Sequence, residues 1–449
     1  MDIKLIIRSI NSYADGLRIF NDLELPASVE VREGMKQATT FTITYPEDIC
    51  DGDFKKIAQK VFDPFSELEI WVVIDDKEYC LVRGLVQGQQ IKFAQGGEGS
   101  QLVITGADNS IRFGWVSEKK NWGPRIDREE IMAILGSTRV TKDKKEISVN
   151  NYEFDEYHIM GKKYQAGGQE IIDKPVESDE HRDEKSVAVP DPVAEEDFLS
   201  FTSDMLQSQD DLAFLKSLAD QKGMHFWISY EGDKEIVHFE KIPLWQISKR
   251  ELMCPDAITL HMNKEFSDID EFSISWDCDR PTSVSSEVTN RKTGEASKNK
   301  IAKAEQSKLG NVLLSDMSGY VIEAFHSIPA GDEKEANERT NAALNEAEWF
   351  IKASCSTNYE KLCKNESIQS GNFTHVFHAH KLVNIDGIGS RHRGTYLISG
   401  VTHSISAGSY KVQLELMRNA WVDPSGEFDV SEEEPAAENA AQQDVTEPA

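Results

Sequence analysis

The 449-residue sequence predicts an α+β, mainly β fold in which two β-rich units bracket an α+β insert and helices. Three observations predict it. Short alternating apolar segments crowd residues 1–140 and return over Phe373–Val422. Helical periodicity is strongest between them, over Phe198–Gly223 and Glu333–Ser354. Two acidic stretches with hardly any large apolar side chain, Asp173–Asp197 and Asp423–Ala449, punctuate the chain.

Along the first unit, residues 3–10 and 17–20 are short strands joined at the turn dipeptide Asp15-Gly16. Val29–Arg32 and Thr39–Tyr45 alternate around Gly34, with Thr39, Phe41, Ile43 and Tyr45 on one face, as a half-buried hairpin should. Phe54–Phe62 reads as a short helix, followed by strands Glu67–Ile74, Glu78–Gln87 and Gln101–Ala107. Arg128–Leu135 is helical, with Ile131, Ile134 and Leu135 on one stripe and Gly136 as its stop. About seven strands with so few helices predict a closed or nearly closed β-barrel.

Beyond the first acidic stretch, Leu212, Leu215, Leu218 and Ala219 keep helical spacing up to Gly223, and strands Met224–Tyr230 and Glu235–Lys241 turn at Glu231-Gly232-Asp233. Leu260–Trp276 and Ser283–Asn290 add strands. Glu333–Ser354 is a helix with Ala336, Thr340, Ala343, Ala347, Phe350 and Ile351 on one face. Strands Thr374–Ile385, Gly394–Ile405 and Ser409–Arg418 complete the second β-rich unit. The expected division is 1–140, a first β-barrel with a helix; 141–197, an acidic linker; 198–300, an α+β unit; 301–370, a helical connection; 371–422, the second barrel's strands; and 423–449, an acidic tail.

Charge narrows the functional classes. Net charge is −29, from 78 acidic and 49 basic side chains, which argues against nucleic acid because phosphate binding needs a basic surface. Asp173–Asp197 carries −7 and Asp423–Ala449 carries −9, so the remainder is only moderately acidic. No apolar run approaches the ~18–20 residues of a membrane-spanning helix, so no membrane anchor is expected. The opening Met1–Ile10 reads as a strand and not as a signal peptide. Cys50, Cys80, Cys254, Cys278, Cys355 and Cys363 are scattered, without a C-x-x-C pair, as in a chain made in a reducing compartment.

Catalytic and ligand motifs are weak. His375, His378, His380, His392 and His403 crowd one region, and His378 and His380 would share a strand face where a zinc site could form. No H-E-x-x-H accompanies them, so they read as structural or surface histidines. Gly96-Gly97-Glu98-Gly99 lacks the lysine and hydroxyl of a phosphate-cradling loop. No G-x-S-x-G nucleophile elbow occurs. The tryptophans, from Trp71 to Trp421, read as core and interface anchors. Lys298, Lys300, Lys303 and Lys308 read as a solvated basic linker. No catalytic, cofactor or metal residue is therefore expected.

Four segments carry a resemblance. Asp211–Gly223 followed by strands, Leu81-Val-Arg-Gly84-Leu-Val, Leu102–Asp108, and Gly389…Gly394–His403 with Tyr410–Asn419 together resemble, in order, the phage late-control D family. These are tail or baseplate hub proteins, related to the hub part of type VI secretion spike proteins. The resemblance implies two tail-tube-like β-barrel domains in one chain and a non-enzymatic role. It further implies a homotrimeric ring that adapts a sixfold tail tube protein to a trimeric spike protein, beside other baseplate subunits. Such a chain would assemble in the cytoplasm and then belong to a phage tail or an extracellular phage-tail-like particle. The acidic insertion and acidic tail depart from the family plan, and no needle repeats follow, so the spike should be a separate polypeptide. Acidic residues could line a channel or solvate the outside. The competing readings are a particle-associated peptidoglycan hydrolase and a secreted effector.

Overall fold

The computed structural model describes residues 3–13, 16–21, 23–46, 55–74, 76–94, 99–115, 117, 119–135, 138–140, 146–148, 153–166, 168–171, 198–201, 203–245, 253–262, 267–289, 296–301, 304–318, 321–327, 333–369 and 376–422. The acidic stretch Asp173–Asp197, the tail Asp423–Ala449, His375 and the Gly96-Gly97-Glu98 loop lie outside the described residues.

A 13-stranded sheet dominates the molecule. Its first half uses β1 (Ile3–Tyr13), β2 (Gly16–Phe20), β3 (Ser28–Gly34), β4 (Thr40–Pro46), β5 (Glu67–Ile74), β6 (Lys77–Lys92) and β7 (Gln101–Asp108), ordered β2-β1-β5-β6-β7-β4-β3. Strand β3 then pairs antiparallel with Gly394–Ser406, Val31 facing His403, and so joins the two halves without a break. Outward from there run Ser409–Arg418, Ile351–Asn358 and Glu271–Trp276. Leu382–Asp386 also pairs with Gly394–Ser406, and Thr259–His261 pairs in parallel with Leu382–Asp386. Segments 259–261, 271–276 and 351–358, expected in the insert and the helical connection, are therefore strands beside the final hairpin.

Alternation explains the packing. In β4, Phe41, Ile43 and Tyr45 are buried, and in Ser409–Arg418 the buried set is Tyr410, Val412, Leu414 and Leu416. One hydrophobic core takes in both sets, so the halves are continuous in packing as well as in hydrogen bonding. Strand β5 alternates over Glu67–Ile70 and is then apolar on both faces from Trp71 to Ile74, where both faces are covered. Leu68, Ile70 and Val72 enter this core, while Trp71 enters a second core with the insert.

Two residues of the family-like segments have plain local reasons. A Cβ on Gly84 would lie 2.0 Å from the Ala107 carbonyl oxygen, so β6 approaches β7 only with glycine there. Asp108 ends β7 by accepting hydrogen bonds from the Thr39 amide at 2.6 Å and the Ser110 amide at 3.0 Å. That carboxylate ties the start of β4 to the 3-10 helix Asn109–Gly114.

The insert differs from expectation at its edges. The helix begins at Asp211 and not at Phe198, because the Asp210 side chain caps it by accepting from the Ala213 amide at 2.8 Å. Gly223 closes it in the left-handed region, φ 63°. The residues before it form short strands, Phe198–Ser200 and Leu206–Gln207, paired with Arg125–Asp127 and Lys120–Asn121. A four-stranded sheet follows, in the order Lys162–Gln165, Glu156–Ile159, Lys234–Glu240, His225–Glu231. Its first two strands lie in the stretch expected to be a linker. They fold because Phe154, Tyr157, Ile159 and Met160 bury apolar surface in the second core.

The helix Glu333–Ala347 is shorter than its periodicity predicts. From Ile351 the burial pattern alternates, with Ile351, Ala353, Cys355 and Thr357 inward, and the chain continues as a strand. The helix packs on a three-stranded sheet of Ser283–Thr289, Ala296–Ile301 and Glu323–Ser327 through Val284, Ala343 and Leu344. Lys298 and Lys300, expected in a linker, belong to its strand Ala296–Ile301. Of the described cysteines, Cys80, Cys254 and Cys355 are buried, Cys363 is half-buried and Cys278 is exposed. Among the described residues no helix is long and apolar enough to cross a membrane.

Candidate functional site

The face of the sheet turned away from the core is polar, and across five strands it lines an open groove of about 1140 Å³. Glu30 and Arg32 project from β3, Thr402 and Ser404 from the next strand, Gln413 and Glu415 from its hairpin partner, and Ser354 and Ser273 from the outer two. The two-residue period of these strands puts hydroxyls, amides and charges on this side for the same reason that it puts leucines on the other. Its charges are paired locally. Arg32 meets Glu30 at 2.8 Å, Lys36 meets Glu346 at 3.1 Å, and the Ser273 and Ser354 hydroxyls lie 3.0 Å apart. Such a wall stays wet and presents little unbalanced charge.

The sheet ends in edges that carry apolar side chains. At one end Trp276 is 60% exposed on Glu271–Trp276, and at the other Ile19 is 56% exposed on β2. Edge strands with unpaired backbone and an exposed aromatic are ready surfaces for another chain.

The histidines singled out by sequence do not converge. His403 is buried, with Nε2 3.1 Å from the Phe377 carbonyl and Nδ1 2.9 Å from the Tyr410 hydroxyl, and burial pushes its pKa down to about 3. His378 pairs with Glu33 at 3.1 Å. His392 sits beside Trp421, and burial holds its pKa below the usual range. His380 stacks on Trp227, their ring centres 4.2 Å apart.

That last contact leads to a group the sequence reading missed. Trp227 is sandwiched between His380 and His238, the second ring 4.3 Å away and parallel to within 1°. This stack fastens the small sheet to the main one. Behind it, His238 faces His158 across the parallel pair Glu156–Ile159 and Lys234–Glu240. His238 Nδ1 lies 2.8 Å from a Glu240 oxygen, and His158 Nδ1 lies 3.8 Å from the same atom. The Ser229 hydroxyl sits 2.7 Å from His238 Nε2. Burial keeps the His238 pKa well below the ordinary value, lowers that of His158 and raises that of Glu240. The available signal was two strand patterns, Glu156-x-His158 and His238-x-Glu240, each placing a carboxylate and an imidazole on one face.

No protein-family model matches the chain, and no curated protein matches its sequence. Solved structures match its fold over nearly its whole length. The tail protein from Neisseria meningitidis MC58 is similar with a TM-score of 0.52 at 11% identity, over 94% of this chain and 98% of that one. The 43 kDa tail protein of prophage MuSo2 from Shewanella oneidensis is similar with a TM-score of 0.54 at 10% identity, over 93% and 99%. The chain thus has the mainly β fold of phage tail proteins, built on a large antiparallel sheet.

Proposed function

We propose that this chain is the hub of a contractile injection particle: a non-enzymatic structural protein forming a homotrimeric ring between the tail tube protein and the spike protein, beside other baseplate subunits. The observation that carries the reading is the match to two tail proteins over at least 93% of the chain, with both β-rich halves included. In this reading residues 1–140 hold the first tube-like barrel domain, and 371–422 hold the second together with strands 259–261, 271–276 and 351–358. Three copies would then present six such units to a sixfold tube. The polar groove face would meet the passage, and the sheet edges at Trp276 and Ile19 would meet neighbouring subunits. The particle would assemble in the cytoplasm and act as part of a tail or tail-like device.

Light scattering and electron microscopy of the purified full chain test the reading. The expected mass is about 152 kDa, three times the 50.6 kDa chain, in threefold rings that retain tube and spike subunits in pull-downs. A monomer at micromolar concentration that retains neither subunit would overturn it. Turnover of peptidoglycan by the pure protein would replace it with a hydrolase.

A further inference from the structure

The small sheet carries an inference independent of the assembly role. We propose that His158, His238 and Glu240 form a binding site for one divalent transition-metal ion, with zinc as the best-fitting occupant.

The donor set is the first argument. Two imidazoles and one carboxylate suit zinc, with a water as a fourth ligand. Geometry is the second. Ligand atoms ~2.0–2.1 Å from a tetrahedral zinc stand about 3.4 Å from one another. The Glu240 oxygen lies 2.8 Å from His238 Nδ1 and 3.8 Å from His158 Nδ1, on either side of that value. One ligand atom from each of the three residues lies within 4.8 Å of the others. Shifts of a fraction of an ångström to about one ångström would bring all three onto a common ion.

The His158, His238 and Glu240 side chains are all largely buried, and a metal binds the neutral imidazole and the carboxylate. Glu156, on the same face, is held by Lys234 and leaves Glu240 as the ligand. Lys163, opposite His158 in the adjoining strand pair, and Lys381 oppose a cation and lower the affinity the site can reach.

The surroundings supply an orienting partner. As the site stands, His238 Nδ1 donates to Glu240 and Nε2 accepts from the Ser229 hydroxyl. With a metal on Nδ1 the proton sits on Nε2 and donates to the same hydroxyl, which can take either role. The exchange of tautomer needs no proton from outside. His158 and Glu240 keep 12% and 14% of their side-chain surface exposed, which gives the ion a way in. The bound ion would pin the two parallel strands together and hold the His238–Trp227–His380 stack that joins the two sheets.

The experiment uses the full-length chain stripped with a chelator and then titrated with zinc chloride. Metal content after gel filtration, affinity by competition with a chromogenic chelator, and melting temperature are measured. One zinc per chain and a higher melting temperature are expected. His158→Gln and Glu240→Gln, both at the solvent rim, should each weaken binding at least about tenfold and abolish the thermal shift. Ser229→Ala should weaken it less. Only trace zinc on the wild-type chain without a thermal shift overturns the proposal. Binding by both rim variants at wild-type affinity overturns it too, since other residues would then hold the metal. Circular dichroism of each metal-free variant separates lost binding from lost folding.

Discussion

Strands Ser409–Arg418 and Lys234–Glu240 bury side chains in opposite ways. The first alternates strictly: apolar residues face the core and Lys411, Gln413 and Glu415 face water. The second is buried from Glu235 to Phe239 without interruption, and its buried set includes Glu235 and His238. One strand covers a sheet with a single core. The other is closed in on both faces, so polar groups that alternation would send to solvent are trapped inside. The first arrangement depends mainly on apolar contact, with hydrogen bonds only at its ends through Tyr410 and Arg418, whereas the second depends on buried polar groups throughout.

Leu414→Ala should have the largest effect. Leu414 is fully buried, and a large-to-small change there should destabilise the protein by about 3 kcal/mol, read from chemical denaturation. A loss under about 1 kcal/mol would mean that the final hairpin is not tightly packed.

Glu235→Gln should act next, with an effect that grows from pH 4.5 upward. Burial raises the Glu235 carboxyl to about 8, against the smaller opposing pull of Asn109 and Arg83. A raised carboxyl contributes stability that is complete below its unfolded pKa near 4.5 and is lost as pH rises through about 8. The neutral variant should therefore melt above the wild type at pH 8, with the gap closing toward pH 4.5. A gap that does not change with pH would show that Glu235 is ionised in the fold.

The third prediction concerns acid. Burial depresses His403 to about 3 and His225 to about 4, so their contributions are complete above pH 6.5 and are lost as pH falls toward those values. Melting temperature should fall between pH 6 and pH 4, and His403→Gln should flatten that fall. An unchanged slope in the variant would place the acid sensitivity elsewhere.

The smallest effect is expected at Gln413→Ala, next to Leu414 but on the groove face, at about 0.5 kcal/mol or less. A larger loss would mean that the groove face is covered by part of the protein.

Much of the main sheet was legible because its strands report their own burial. Phe41, Ile43 and Tyr45 in β4, or Val412, Leu414 and Leu416 near the end, repeat every second residue, and that period needs no partner to be read. Helix Asp211–Lys222 was legible in its apolar stripe and its glycine stop, though its start depended on the Asp210 cap. The start of strand Ile351–Asn358, as far as Ser354, is masked in the sequence because Ala347, Phe350 and Ile351 also fit a helical stripe. The hairpin over Glu156–Gln165 was hidden in acidic surroundings, its few apolar residues counted against the linker around them.

Taken alone, the sequence determined the mainly β class, the polar-out alternation that makes the groove face, and the segments that resemble tail hubs. These are local properties, set by side-chain period and turn chemistry within a few residues. Tertiary structure alone decided that β3 joins Gly394–Ser406 into one sheet, that His403 lies buried against the Phe377 carbonyl, and that His158 meets His238 and Glu240. Those pairings unite residues tens to hundreds of positions apart. No short-range pattern records them, because the free energy that selects them comes from surfaces that exist only once the chain has folded.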